Sequence, residues 1–147
     1  MQMNPLPKEK LKDINDFLQQ PLIARMATAD MNGQPHVVPV WFGWDGETLW
    51  ISSYSNTRKV IELEKNPKIS VVIDEAKDNG ENKGVIFEGV VELIREPRSF
   101  LHDQFVWIYT RYLGSDGILA AEPQSWIEDP HNLLIKLIPA KVISLYF

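Results

Sequence analysis

The chain has 147 residues, 44% of them hydrophobic, with 15 basic and 20 acidic side chains for a net charge of −5, and it has no cysteine. That length suffices for a single domain over residues 1–147 with its own core, while disulfides, thiolate metal sites and thiol nucleophiles are excluded. The acidic balance opposes a broad grip on nucleic acid, no apolar run nears the roughly 20 residues of a spanning helix, and Met1-Gln2-Met3-Asn4-Pro5 lacks the form of a signal peptide, so a soluble, cytoplasmic protein without membrane or nucleic-acid partner is expected.

Leu11, Ile14 and Leu18 recur at three- and four-residue spacing behind Pro5 and Pro7, and Pro21 ends the pattern, which predicts a short amphipathic helix. From Ile23 the texture changes to β-rich runs at 23–28, 35–44 and 48–53. The turn signals Asn32-Gly33 and Asp45-Gly46 separate them, so three sequential antiparallel strands are predicted. A second short helix is expected over 58–65, capped by Asn56 or Thr57, with Val60, Ile61 and Leu63 inward and Asn66-Pro67 as its stop. Residues 69–73 and 84–94 read as strands. The polar stretch 74–83, which holds Asp78-Asn79-Gly80, reads as a solvated loop between them, with Asp74 and Glu75 in water.

Pro97 opens a third helix with Phe100, Leu101, Phe105, Ile108, Tyr109 and Tyr112 near one face, until Gly114 stops it. Residues 114–130 carry no assignable pattern. The apolar runs 133–138 and 142–146, split by Pro139, suit a bent strand or two strands closing a barrel. Six or seven mostly antiparallel strands with three short helices make a mainly β protein, a small barrel with helical decoration.

The window Ser52-Ser53-Tyr54-Ser55-Asn56-Thr57-Arg58-Lys59 carries the chemistry. A hydroxyl-rich strand end runs into a helix N-terminus, whose free N–H groups and dipole favour an anion. Two cations in that first turn oppose the dipole unless something negative lies between them. This points to a bound phosphate, with Arg58 forking two donors onto it and Lys59 adding a point charge. The same residues also read as solvated charges with Thr57 as a simple cap. His36, His102 and His131 are scattered without metal-ligand spacing, no Gly-x-Ser-x-Gly elbow is present, and no side chain stands out as an acid or base. Of the five Trp residues, Trp126 is the one whose polar flanks suit a cover over a cofactor or substrate. Aromatic-rich strands would also suit an OB-like nucleic-acid barrel, which the charge balance opposes.

In order and spacing, Ala27-Thr28, Asn32-Gly33-Gln34-Pro35-His36, Val38-Pro39-Val40-Trp41, Ser52-Ser53, Thr57-Arg58-Lys59 and Asn66-Pro67-Lys68-Ile69-Ser70 resemble the pyridoxamine-phosphate-oxidase-like flavoproteins. Glu88-Gly89 and Ile138-Pro139 extend the likeness loosely. The resemblance implies an FMN-binding split β-barrel, dimeric, with the cofactor between two copies of the chain. It implies that Ser52, Ser53, Thr57, Arg58 and Lys59 hold the flavin phosphate and that Val38, Pro39 and Val40 lie along the isoalloxazine edge. The implied activity is an FMN-dependent oxidoreductase passing hydride between flavin and a small organic substrate or reduced nicotinamide. A reductase using the related deazaflavin coenzyme and a non-catalytic flavin-binding or sensor protein are the alternatives. True pyridoxamine phosphate oxidases carry Arg and Lys where Val38 and Gly43 stand, and close in basic residues where this chain ends Leu145-Tyr146-Phe147, so vitamin B6 oxidation is not expected.

Overall fold

The structure, a computed structural model, describes residues 8–146; Pro5, Pro7 and Phe147 lie outside them. Helix α1 (Lys8–Phe17) precedes strands β1 (Ala24–Ala29), β2 (Pro35–Val40), β3 (Phe42–Trp44) and β4 (Leu49–Tyr54). Helix α2 (Arg58–Lys65), strands β5 (Lys68–Ala76) and β6 (Asn82–Ile94), and helices α3 (Arg98–Gly117) and α4 (Ala121–Glu128) follow. Strands β7 (Asn132–Leu137) and β8 (Lys141–Leu145) close the series. No helix among the described residues is long and apolar enough to cross a membrane.

Every strand pairing is antiparallel, in the order β2-β1-β5-β6-β7-β4-β3, with β8 added on β6. The sheet curls into a split barrel about β6, which is long enough to serve both halves. Its first part pairs with β5 on one edge and β8 on the other, and its last four residues pair with β7. Inside the curl lie Met26, Phe42, Ile51, Val71, Ile73, Phe87 and Leu137, closed at one end by Ile14 and Phe17 of α1. Strands β1 and β5 alternate buried and accessible positions, as a half-covered sheet should. Strands β4 and β7 are buried on both faces, because α3 and α4 cover their outer side with Leu101, Phe105, Ile108 and Ile127 against Trp50 and Leu134. That double cover explains the unbroken apolar run of β7.

Arg111 of α3 fastens α1 to this layer. Its guanidinium donates to the carbonyls of Leu18, Gln19 and Gln20, in the turn that follows the helix, and to that of Phe42.

Several details depart from the sequence expectations. The run 35–44 breaks at Trp41 into β2 and β3, which pair with β1 and β4 respectively, and this break brings the strand count among the described residues to eight. The expected loop 74–83 shrinks to a turn, since β5 and β6 stay paired out to Ala76↔Asn82. The backbone ladder continues past the core there, where polar side chains cost nothing in water. Ile61 is 48% exposed, and Glu62 takes the inward place between Val60 and Leu63. Gly114 breaks α3 at φ 79°, yet the chain resumes a further turn to Gly117. The unassigned stretch contains α4, whose only buried residues, Pro123 and Ile127, are too few to give a helical stripe.

Candidate functional site

The two end strands of the sheet, β2 and β3, are consecutive in the chain, so the sheet is open at the Trp41 break. A cleft of about 310 Å³ lies there. Pro39, Val40 and Trp41 form its seam, and Ser52, Ser53 and Tyr54 enter from the end of β4. Lys59 comes from the first turn of α2, Asn132 from β7, and Tyr109 and Trp126 from the helical layer. Strand order thus gathers residues from both halves of the chain at the seam between the two end strands.

The wall is aromatic. Trp41 stacks on Tyr112 with centroids 4.5 Å apart and planes 5° apart, and meets Trp126 edge-on at 6.2 Å. Trp126 in turn stands edge-on to Tyr109 at 5.6 Å. Such edge-to-face contacts fix ring orientation as well as burying area.

The polar groups of the cleft separate into those already engaged and those available. The Thr57 hydroxyl donates to the Tyr54 carbonyl at 2.8 Å, so Thr57 occupies the cap position of α2 without a capping bond from its side chain. Ser53 lies 3.1 Å from the Thr57 oxygen. Because the Thr57 hydrogen is used, Ser53 is the donor of that pair, and neither hydroxyl has a hydrogen left over. Ser52 accepts from the Tyr109 hydroxyl at 3.0 Å and keeps its own hydrogen. The Tyr54 hydroxyl has no hydrogen-bond partner among the described residues, and burial, with the charges of Tyr109 and Asp129 adding, raises its pKa. Lys59 has neither an acidic partner nor a hydrogen bond there, and burial pulls its ammonium pKa below the ordinary lysine value. An unpaired, half-buried cation beside a free serine hydroxyl is a donor set suited to an anionic oxygen.

Arg58 stands elsewhere. Its Nε donates to Glu62 Oε1 at 2.7 Å, and it lines the neighbouring groove with Met31, Asn56 and Ile61. Glu62 Oε2 accepts from the Thr28 hydroxyl at 2.6 Å, which ties α2 to β1. The terminal nitrogens of Arg58 remain without protein partners among the described residues. Val38 packs against the core from β2 and does not line the cleft. Six of the residues singled out in the sequence, Pro39, Val40, Ser52, Ser53, Lys59 and Trp126, therefore share one cleft, while Val38, Thr57 and Arg58 border it or support it.

Sequence reading missed Trp41, Tyr54, Tyr109 and Asn132 as cleft residues. Tyr109 looked like one more apolar position on α3. Asn132 gave one weak signal, a polar residue heading a strand buried on both faces. Its amide donates to the Tyr109 hydroxyl at 2.8 Å and to the Trp126 carbonyl at 3.0 Å.

An antiparallel split barrel with its cleft at the open seam defines the class of the pyridoxamine-phosphate-oxidase-like proteins. The chain belongs to the pyridoxamine 5'-phosphate oxidase family, whose sequence pattern matches residues 11–146. It is 29% identical over 112 residues to the 5a,11a-dehydrotetracycline/5a,11a-dehydrooxytetracycline reductase of Streptomyces rimosus, spanning 69% of this chain and 79% of that protein. Among solved structures it resembles a conserved hypothetical protein of Mycobacterium tuberculosis, with a TM-score of 0.77 and 23% identity over 99% of this chain and 89% of that one. An F420 reductase superposes with a TM-score of 0.69 and 24% identity over 95% of this chain and 98% of its own.

Proposed function

We propose that the protein is an FMN-dependent oxidoreductase that acts as a homodimer, with the flavin phosphate at Lys59 and Ser52. The observation that carries this reading is Lys59, a half-buried ammonium lining the cleft with no partner among the described residues. The residues present fit the group. Lys59 supplies the charge and the Ser52 hydroxyl a hydrogen bond, while Arg58, held by Glu62 in the neighbouring groove, adds positive charge nearby. Trp41, Tyr109 and Trp126 offer an apolar wall that excludes water from a planar ring. The flavin, when bound, supplies hydride transfer to or from a small organic molecule or nicotinamide. The reductase name of the Streptomyces relative supports the redox class.

Two features support a partner subunit. The cleft is at the small end of ligand pockets, roughly 300–1,000 Å³, and is open on one side. Val37 and Val90 on the strands are 64% and 61% exposed. A deazaflavin coenzyme in place of FMN is the second reading, favoured by the likeness to an F420 reductase, since the same donors would hold its phosphate. Pyridoxamine phosphate oxidation is disfavoured on two counts. Val38 offers no charge for a second phosphate, and a Cβ at Gly43 would lie 2.5 Å from the Trp107 ring, so no lysine fits without displacing that ring.

The absorbance spectrum and mass of the co-purifying ligand test the cofactor directly, and the flavin-free protein tests the site. Lys59→Ala should weaken FMN by roughly tenfold to a hundredfold, the worth of one charge-assisted hydrogen bond, and leave riboflavin affinity unchanged. Equal loss of both ligands would signal misfolding, and no loss of FMN would sink the assignment.

A further inference from the structure

We propose that Asn132 and Tyr109 fix the direction of the Ser52 hydroxyl, so that Ser52 meets the cleft as a hydrogen-bond donor and selects a ligand with an acceptor oxygen at that point. The inference rests on the cleft being the cofactor site and adds two positioning residues to it.

The direction follows link by link. Asn132 is 1% exposed, and its amide nitrogen reaches two oxygens, the Trp126 carbonyl and the Tyr109 hydroxyl. Rotating the amide by half a turn would set its oxygen against the Trp126 carbonyl, two acceptors face to face, so the nitrogen stays where it is. The chosen orientation leaves Asn132 Oδ1 buried with no donor, a cost the site accepts in order to keep both N–H groups directed this way.

Tyr109 therefore receives a hydrogen from Asn132 and must place its own on another acceptor. Ser52 Oγ, 3.0 Å away, is the acceptor the structure provides. Reversing that link would strand a buried phenolic hydrogen with no other partner among the described residues. With its oxygen receiving from Tyr109, Ser52 has its hydrogen left, and no described residue accepts it. Its side chain lines the cleft, so the hydrogen is available to a ligand. The hydroxyls of Ser53 and Thr57 cannot substitute, because Ser53 spends its hydrogen on Thr57 and Thr57 on the Tyr54 carbonyl. The Asn132→Tyr109→Ser52 chain also spans β7, α3 and β4, so the donor is held by the elements that build the cleft rather than by a mobile side chain.

On the proposed placement of the cofactor, the acceptor is an oxygen of the flavin phosphate, which carries lone pairs and charge to receive the Ser52 hydrogen. A double-mutant cycle read by titrating FMN and riboflavin into flavin-free protein tests the chain. Ser52→Ala should weaken FMN about tenfold and Tyr109→Phe about threefold, while the double variant should match Ser52→Ala within about twofold, since Tyr109 acts only through Ser52. The Phe ring keeps the packing of Tyr109 on Phe105 and Trp126, and unchanged melting temperatures would verify this. Loss confined to FMN at an unchanged melting temperature places the phosphate oxygen at Ser52 and supports the proposal, whereas equal loss of FMN and riboflavin would take the phosphate away from Ser52 and overturn it. Losses that multiply in the double variant, or a Ser52→Ala protein that binds as wild type, overturn the chain alone. A wild type that binds neither FMN nor its deazaflavin counterpart overturns the cofactor reading, and the proposal with it.

Discussion

Glu62 sits at 8% exposure on a helix whose spacing predicted Ile61 as the inward residue instead, and its carboxylate is divided between Thr28 and Arg58. The Thr28 hydrogen bond, followed by that from Arg58, holds its pKa below the ordinary carboxylate value. A carboxylate whose folded pKa is depressed stabilises the fold at pH values above its unfolded pKa, about 4.3, and loses that contribution as pH falls through the folded value. The melting temperature should accordingly drop as the protein is acidified below about pH 4.3, and Glu62→Gln should flatten that part of the curve. The same acid limb in both proteins would show that Glu62 contributes nothing. At this scale the sequence was half legible. It marked Arg58 and Lys59 as an unusual pair in a helical first turn, but their division of labour depends on Thr28, thirty-odd residues away on another strand, which spacing along one helix cannot reveal.

Strands were legible wherever turn chemistry bounds them, as at Asn32-Gly33 and Asp45-Gly46, where both glycines adopt positive φ. The break at Trp41 and helix α4 were not, because each is imposed by packing between distant elements. Trp41 turns out of line to stack on Tyr112, and α4 follows from the cover that β7 requires. The same helical layer explains Gly43. Strand β3 has a glycine there because the Trp107 ring of α3 occupies the space a side chain would take. Gly43→Ala should destabilise the protein by about 1–3 kcal/mol, the usual cost of overpacking, as read by denaturant unfolding. Val38→Arg with Gly43→Lys should then yield a weakened fold and no pyridoxamine phosphate oxidation at ordinary enzyme rates; efficient turnover would contradict the steric argument.

For the whole molecule, the open seam and the exposed strand valines set the expectation of a two-chain particle. Light scattering should report twice the mass of 16.9 kDa at micromolar concentration, and a flavin-loaded monomer would contradict the proposed assembly.

The arrangement in which β7 lies between β4 and β6 also governs how the chain can be made. Strand β4 finds β3 at once, but its other partner lies roughly eighty positions further on, so a nascent chain carries an incomplete half-barrel until β7 has left the ribosome. During that interval Trp50 and Ile51 have no β7 to cover them, and the cleft lacks Asn132. A chain ending at Pro130 should therefore leave the amides of β4 that face β7 open to hydrogen exchange, whereas protection equal to the full-length protein's would mean that the first half completes itself without waiting for the second.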